Sequence, residues 1–83
     1  MIIPSPKELA LQIIQQRKKL KLSQTDVAKR VGLKQQTISA FENKPESTKL
    51  ETLFHILSAV HLDIITLSKN EISSGKNQWK EEW

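Results

Sequence analysis

Hydrophobic residues recur at helical spacing in separate stretches of the chain. Residues 9–14 place several apolar side chains on one face, and this face follows the sequence Ser5-Pro6-Lys7-Glu8. A serine at the N-cap, proline in the first turn and glutamate two residues later are typical of a helix start. The pattern predicts a first helix that ends near Lys21.

The central part of the chain predicts two short helices that are joined by a tight turn. Ser23 is a good N-cap for the first of them, and Asp26 lies where its side chain can bond back to the cap. Gly32 is expected to end this helix, because glycine enters the left-handed region at little cost. Ile38 and Phe41 then give the second helix an inward face.

The second of these helices carries polar side chains at its start and on its open face. They are Lys34, Gln35, Gln36 and Ser39. Glutamine can bond adenine bidentately in the major groove, lysine can reach guanine, and a helix N-terminus favours phosphate. We therefore predict that these residues contact base edges. A generic helix pair in a small bundle is the alternative, but it gives no reason for two adjacent exposed glutamines.

A strongly apolar helix is predicted for residues 50–60, with Thr48 as its N-cap and Glu51 in its first turn. Its apolar face is wider than one buried stripe needs. Part of that face is therefore expected to contact a second subunit.

Residues 62–68 are partly β-branched and partly alternating, which favours a short strand. A lone strand leaves backbone groups unpaired, so we expect it to pair with the same strand of a second copy in a homodimer. The predicted dimer interface consists of Leu62, Ile64, Ile65 and Leu67. The predicted fold is mainly α, with four to five helices, this one short C-terminal strand, and then a disordered tail.

The distribution of charged residues also separates residues 1–68 from residues 69–83. The formal net charge is +4; residues 1–68 hold ten Lys and Arg against six Asp and Glu, and residues 69–83 hold three of each. A basic domain suits a polyanion. We predict a DNA-binding and dimerisation domain over 1–68 and a flexible tail over 69–83, which is polar and expected to be disordered in isolation.

Trp79 and Trp83 in this tail either anchor it in a partner or fold back onto the domain.

Composition excludes several classes of function. The chain has no cysteine, so no disulfide or thiolate metal site is expected, and a reducing cytoplasm suits it. His55 and His61 lack clustered carboxylates, so no metal site is predicted. No signal peptide or membrane span is visible. A chain with two glycines and no phosphate-binding glycine loop is not expected to be an enzyme or to need a cofactor.

The central segment resembles the helix-turn-helix of phage-repressor-like proteins. The matching positions are Gln24, Ala28, Gly32, the Gln35-Gln36 pair, Ile38 and Glu42. Over most of its length the chain looks like a HipB-type antitoxin. This resemblance covers SPKEL, LSQTDVAKRVGLKQQTISAFENKPES, LDIITLSKN and a tail with Glu82-Trp83 at its end.

The HipB resemblance implies a homodimer that binds palindromic operator DNA, represses its own toxin–antitoxin operon and holds a HipA-type kinase toxin inactive. Base contacts carry over to Lys34, Gln35, Gln36 and Ser39, and toxin contact carries over to Trp83, with Trp79 as an additional anchor. Predicted phosphate contacts are Arg17, Lys18, Lys19, Gln24, Lys29, Thr37 and Lys44. For the basic run of Arg17, Lys18, Lys19 and Lys21 the alternative is a solvated helix end. A stand-alone dimeric repressor without a toxin is the alternative for the whole chain.

Overall fold

The structure is a computed structural model that describes residues 2–69. It contains four α-helices and one short 3-10 turn. The helices are α1 (Pro6–Lys19), α2 (Gln24–Val31), α3 (Gln35–Asn43) and α4 (Leu50–Ala59), and the 3-10 turn is Pro45–Ser47. The mainly α prediction is confirmed, with the lower of the two expected helix counts in the described range. Trp79 and Trp83 lie outside the described residues.

The predicted starts of α1 and α2 are confirmed by their hydrogen bonds. Ser5 caps α1, and its Oγ accepts from the Glu8 N–H at 3.2 Å. At α2 the bonds are reciprocal: the Asp26 N–H donates to Ser23 Oγ at 3.0 Å, and the Ser23 N–H donates to Asp26 Oδ2 at 2.9 Å. Such a capping box satisfies amide groups that have no partner within the helix.

The capping carboxylate gives the domain a pH-dependent contribution to stability. Hydrogen bonds from the Ser23 backbone and then its hydroxyl lower the pKa of Asp26 below its ordinary 3.8, with smaller help from Lys29 and Arg30. A lowered pKa means that the folded state binds the proton less well than the unfolded state. The stabilisation is therefore complete above the unfolded-state pKa and is lost as pH falls through the folded-state pKa.

We expect Asp26→Asn to lower the free energy of unfolding at neutral pH, because asparagine carries no charge for the helix start. The difference from wild type should shrink as the pH falls below the ordinary aspartate pKa of 3.8 and through the lower folded-state pKa of Asp26. Urea unfolding of both proteins between pH 2 and 7 measures it. A difference that stays constant over that range would show that the carboxylate charge contributes nothing.

Three helices end in the same way, although only one of them ends at a glycine. Gly32 has φ 70°, as predicted, and Lys21 and His61 each have φ 61°. In each case the next residue donates its N–H back across the last turn: Leu22 to Arg17 O at 3.0 Å, Leu33 to Ala28 O at 2.9 Å, and Leu62 to Leu57 O at 2.9 Å. These left-handed ends turn the chain sharply and satisfy carbonyls that the helix leaves free.

The predicted cap of α4 was wrong by one residue. Lys49 is the N-cap, Leu50 begins the helix, and the cap makes no side-chain hydrogen bond. The 3-10 turn explains the shift, because the Thr48 N–H bonds to Pro45 O at 3.1 Å and keeps Thr48 in that turn. The opposite end of α4 is tied to two other helices. Gln16 Nε2 donates to Val60 O and Arg30 Nη1 donates to Ala59 O, both at 3.0 Å.

Side chains from all four helices form one core. The buried members are Ala10, Ile13, Val27, Ala28, Ile38, Phe41, Ile56, Leu57, Ala59 and Val60. Ile38 and Phe41 bury the inner face of α3 as predicted, with 1% and 2% of their surface exposed. Helix α2 packs against both α3 and α4. Burial of one face of α3 fixes which polar residues remain on its outer face.

The predicted strand at residues 62–68 does not form in the described chain, where these residues belong to no helix or strand. Strands are defined by ladder hydrogen bonds to a neighbour, and residues 2–69 supply no second strand to pair with this one. Ile64, Ile65 and Leu67 are exposed by 45%, 76% and 46%. A single chain therefore leaves these three side chains uncovered, whereas Leu62 is half-buried and packs against the core.

Candidate nucleic-acid interface

The start of α3 is an exposed polar end of a short helix. Lys34 is its N-cap, and Lys34, Gln35 and Gln36 are all exposed. No acidic residue lies in the first turn of α3. The positive end of the helix dipole thus faces outward together with a lysine and two amide groups, which is a favourable arrangement for a polyanion.

A partly buried ion pair lies behind this end and joins α1 to α3. Arg17 Nε donates to Glu42 Oε2 at 2.8 Å, and Arg17 Nη2 donates to Glu42 Oε1 at 3.1 Å. The side chains are only 11% and 8% exposed. Arg17 Nη1 also donates to Leu22 O at 2.9 Å. These bonds hold Arg17 within the domain, and its contact with phosphate stays a prediction.

The ion pair continues outward through two glutamines. Gln24 Nε2, at the first residue of α2, donates to Glu42 Oε1 at 2.8 Å. Gln35 Nε2 then donates to Gln24 Oε1. Gln24 and Gln35 were predicted separately, as a phosphate contact and a base contact, and the structure places them in contact. No contact was predicted for Glu42, although Glu42 accepts from both Arg17 and Gln24.

Farther along α3, Ser39 and Asn43 lie on one face of the helix. Asn43 Nδ2 donates to Ser39 Oγ at 3.3 Å. Ser39 is half-buried and Asn43 is exposed. The sequence analysis missed Asn43, although its spacing of four residues from Ser39 places the two on adjacent turns. Thr37 is half-buried and lies one residue beyond the two exposed glutamines.

The other predicted phosphate contacts are exposed lysines from three parts of the domain. Lys18 and Lys19 are in the last turn of α1, Lys29 is in the last turn of α2, and Lys44 is the C-cap of α3. Each has a free path to solvent. Their contact with phosphate stays a prediction.

A second exposed surface lies at the far end of α4. A groove of about 500 Å³ is lined by Phe54, Leu57, Ser58, His61, Leu62, Asp63 and Ile64. Phe54 and Leu50 on the same helix are 57% and 70% exposed. His61 Nε2 lies 3.3 Å from Arg30 Nη1. The groove adjoins the segment that was predicted to dimerise.

No group of three or more His, Cys, Asp or Glu side chains in residues 2–69 could hold a metal ion. None of the helices described has the length and apolar character that crossing a membrane requires.

Comparison with known proteins identifies the family. A helix-turn-helix family matches residues 13–67. The antitoxin HipB of Escherichia coli K12 is 38% identical over 82 residues, which cover 98% of this chain and 93% of that protein. The chain belongs to the HipB family of helix-turn-helix antitoxins. Membership in the HipB family confirms the resemblance found in the sequence and the prediction that the chain is not an enzyme.

Two solved HipB structures share the fold. One is a HipA–HipB–O2–O3 complex, with a TM-score of 0.80 and 38% identity, covering 82% of this chain and 96% of the matched chain. The other is a complex of HipB with the O4 20mer, with a TM-score of 0.79 and the same identity and coverage. HipB thus occurs with HipA in the first of these structures and with the O4 20mer in the second.

Proposed function

We propose that the chain is the antitoxin of a type II toxin–antitoxin system. It would bind palindromic operator DNA as a homodimer, repress its own operon and neutralise a HipA-type serine/threonine kinase toxin. Membership in the HipB family supports the class of function, and the exposed start of α3 supports the chemistry of DNA binding. We propose a cytoplasmic location, because the proposed operator DNA and kinase would be met there.

The single observation that carries the DNA-binding proposal is the combination at the start of α3. Lys34, Gln35 and Gln36 are exposed together at a helix N-terminus, while Ile38 and Phe41 fix the opposite face in the core. An α-helix fits the major groove, where amide and ammonium groups match purine edges. We propose that Lys34, Gln35, Gln36 and Ser39 contact bases.

Phosphate contacts would position α3 on the duplex without specifying sequence. We propose Lys18, Lys19, Lys29 and Lys44 for this role because each is exposed and cationic. Gln24 and Thr37 are proposed as neutral contacts at the starts of α2 and α3. Gln24 retains one N–H that no hydrogen bond within the domain uses, since only one of its bonds is as a donor.

A homodimer would cover the exposed apolar side chains of α4 and of residues 62–68. We propose that residues 62–68 pair with the same segment of a second copy, through Leu62, Ile64, Ile65 and Leu67. Exposure of Ile64, Ile65, Leu67 and Phe54 supports this arrangement. Two copies related by a twofold axis would present two α3 helices, and a palindromic operator has the same symmetry.

The proposed division of labour assigns DNA binding and dimerisation to residues 1–68. Residues 69–83, which contain Trp79 and Trp83, would contact the kinase. Tryptophan is enriched among residues that anchor protein interfaces, because it buries a large apolar area and also offers an N–H donor.

Gln35→Ala should test the base-contact proposal. Loss of a bidentate contact should weaken binding to the cognate operator by about 1–3 kcal/mol, whereas binding to scrambled DNA should barely change. Fluorescence anisotropy with labelled duplexes measures both affinities. Gln15→Ala is the matched control, because Gln15 is an exposed glutamine of α1 with no proposed contact. Equal losses on cognate and scrambled DNA would show that Gln35 contacts only the backbone.

A further inference from the structure

We propose that Glu42 is a positioning residue for base recognition, because it fixes the orientation of the Gln35 amide through Gln24. This inference rests on the proposed DNA-binding function and deepens it. The hydrogen-bonded series runs from the interior to the surface: Arg17 and Gln24 donate to Glu42, and Gln35 donates to Gln24. Glu42 itself would touch no DNA.

The direction of the bonds follows from the chemistry of a carboxylate. A carboxylate that is paired with a guanidinium can only accept hydrogen bonds, so Gln24 must turn its Nε2 toward Glu42, where the distance is 2.8 Å. That leaves Gln24 Oε1 on the outer side. Gln35 must then turn its own Nε2 inward, because a carbonyl oxygen accepts only from a donor.

Burial restricts the inner residues of this hydrogen-bonded series, Arg17 and Glu42, more than the outer glutamines. The side chain of Glu42 is 8% exposed and that of Arg17 is 11% exposed, so water has little access to replace their bonds. Gln24 is half-buried and Gln35 is exposed. A flip of either amide would set two carbonyl oxygens, or a carbonyl and a carboxylate, against each other. Each flip is therefore opposed by a repulsive contact as well as a lost hydrogen bond.

The fixed orientation has a direct consequence for DNA recognition. After one N–H of Gln35 has bonded to Gln24, one N–H and the carbonyl oxygen remain. Adenine presents an acceptor at N7 and a donor at N6 in the major groove, in an order that distinguishes A·T from T·A. An amide that cannot flip presents its donor and acceptor in one order only. Glu42 would thus set which orientation of the base pair Gln35 accepts.

Gln24→Met is the sharpest variant for a test, because methionine has a similar size but no amide, and it leaves the Arg17–Glu42 pair in place. Glu42→Gln is the second variant, because it keeps the shape but allows the facing amide to flip. Gln15→Met is the control for a Gln-to-Met change on an exposed helix position.

The assay first selects the preferred duplex of the wild-type protein from a randomised library. Comparison with Gln35→Ala then shows which base pair of that duplex depends on Gln35. Affinities are then measured for the selected duplex, for its single-base-pair substitutions and for scrambled DNA. In both variants we expect the preference at the Gln35 base pair to fall roughly tenfold. Preferences at other base pairs should stay near those of the wild type.

An unchanged preference at the Gln35 base pair in Gln24→Met would overturn the proposal. A loss of affinity that is equal on every duplex would be such a result, since it would mean that Gln24 supplies only a phosphate contact or stability. Failure of the wider function looks different: the wild-type protein itself would then select no preferred duplex. Thermal unfolding of each variant checks that the domain is folded in the assay.

Discussion

Ile65→Pro is expected to convert the protein from a dimer to a monomer and to weaken operator binding by roughly 10²–10⁴-fold. Proline has no backbone N–H and fixes φ near −65°, so it removes a ladder donor and bends an extended segment. Two half-sites that are bound by one dimer gain affinity from their linkage, and a monomer loses that gain. Sedimentation equilibrium and operator titration measure the two effects.

The position is suitable because Ile65 is 76% exposed in the single chain, so the substitution leaves the core of the subunit intact. Neighbouring residues of a strand direct their N–H groups to opposite edges. Ile64→Pro should therefore be tested beside Ile65→Pro, since only one of the two donors can lie in a two-stranded ladder. Ile65→Val is the matched control and should remain a dimer.

If both proline variants remain tight dimers, the strand pairing is excluded. The interface would then lie on the exposed side of α4, where Leu50 and Phe54 are 70% and 57% exposed.

Deletion of Gln78–Trp83 is expected to weaken binding to the kinase while leaving operator affinity close to that of the wild type. The deleted residues lie outside the proposed DNA-binding domain, and their tryptophans are the proposed anchors. Trp83→Ala should account for a large part of the loss, about 2 kcal/mol or more if it is a central anchor. The loss need not be complete, because the folded domain can also contact the kinase.

Calorimetry of the wild-type and shortened proteins against operator DNA and against the kinase of the same operon measures both effects. Glu81→Gln is a control within the same segment, since it keeps both tryptophans. A deletion that harms DNA binding and spares kinase binding would assign the tail to the DNA-binding dimer instead.

Local signals in the sequence were sufficient for the parts of the fold that depend on near neighbours. Ser23 and Asp26 are three residues apart, and their capping box is set by that spacing. Gly32 predicted the end of α2, because glycine adopts the left-handed conformation at little cost. Lys21 and His61 adopt the same left-handed conformation without glycine, so their turns carried no residue-type signal.

Contacts between residues that are far apart in the sequence could not be predicted from local signals. Arg17 and Glu42 are 25 residues apart. Within a run of basic residues at the end of α1, nothing in the sequence shows which cation turns inward to a carboxylate and which remain exposed. Only the packing of α1 against α3 decides it. The packing of α2 against α3 likewise brings Gln24 into contact with Glu42 and Gln35.

Binding of both partners by one protein tests the central claim most directly. A labelled duplex from the region upstream of the gene is titrated with the full chain, and the kinase from the neighbouring gene is then added, with fluorescence anisotropy as the signal. We expect tighter binding to this duplex than to a scrambled one, and a second rise in anisotropy when the kinase joins the DNA-bound antitoxin. Kinase activity should fall over the same range of concentration. Equal binding to scrambled DNA, or a kinase that neither binds nor loses activity, would contradict the antitoxin proposal.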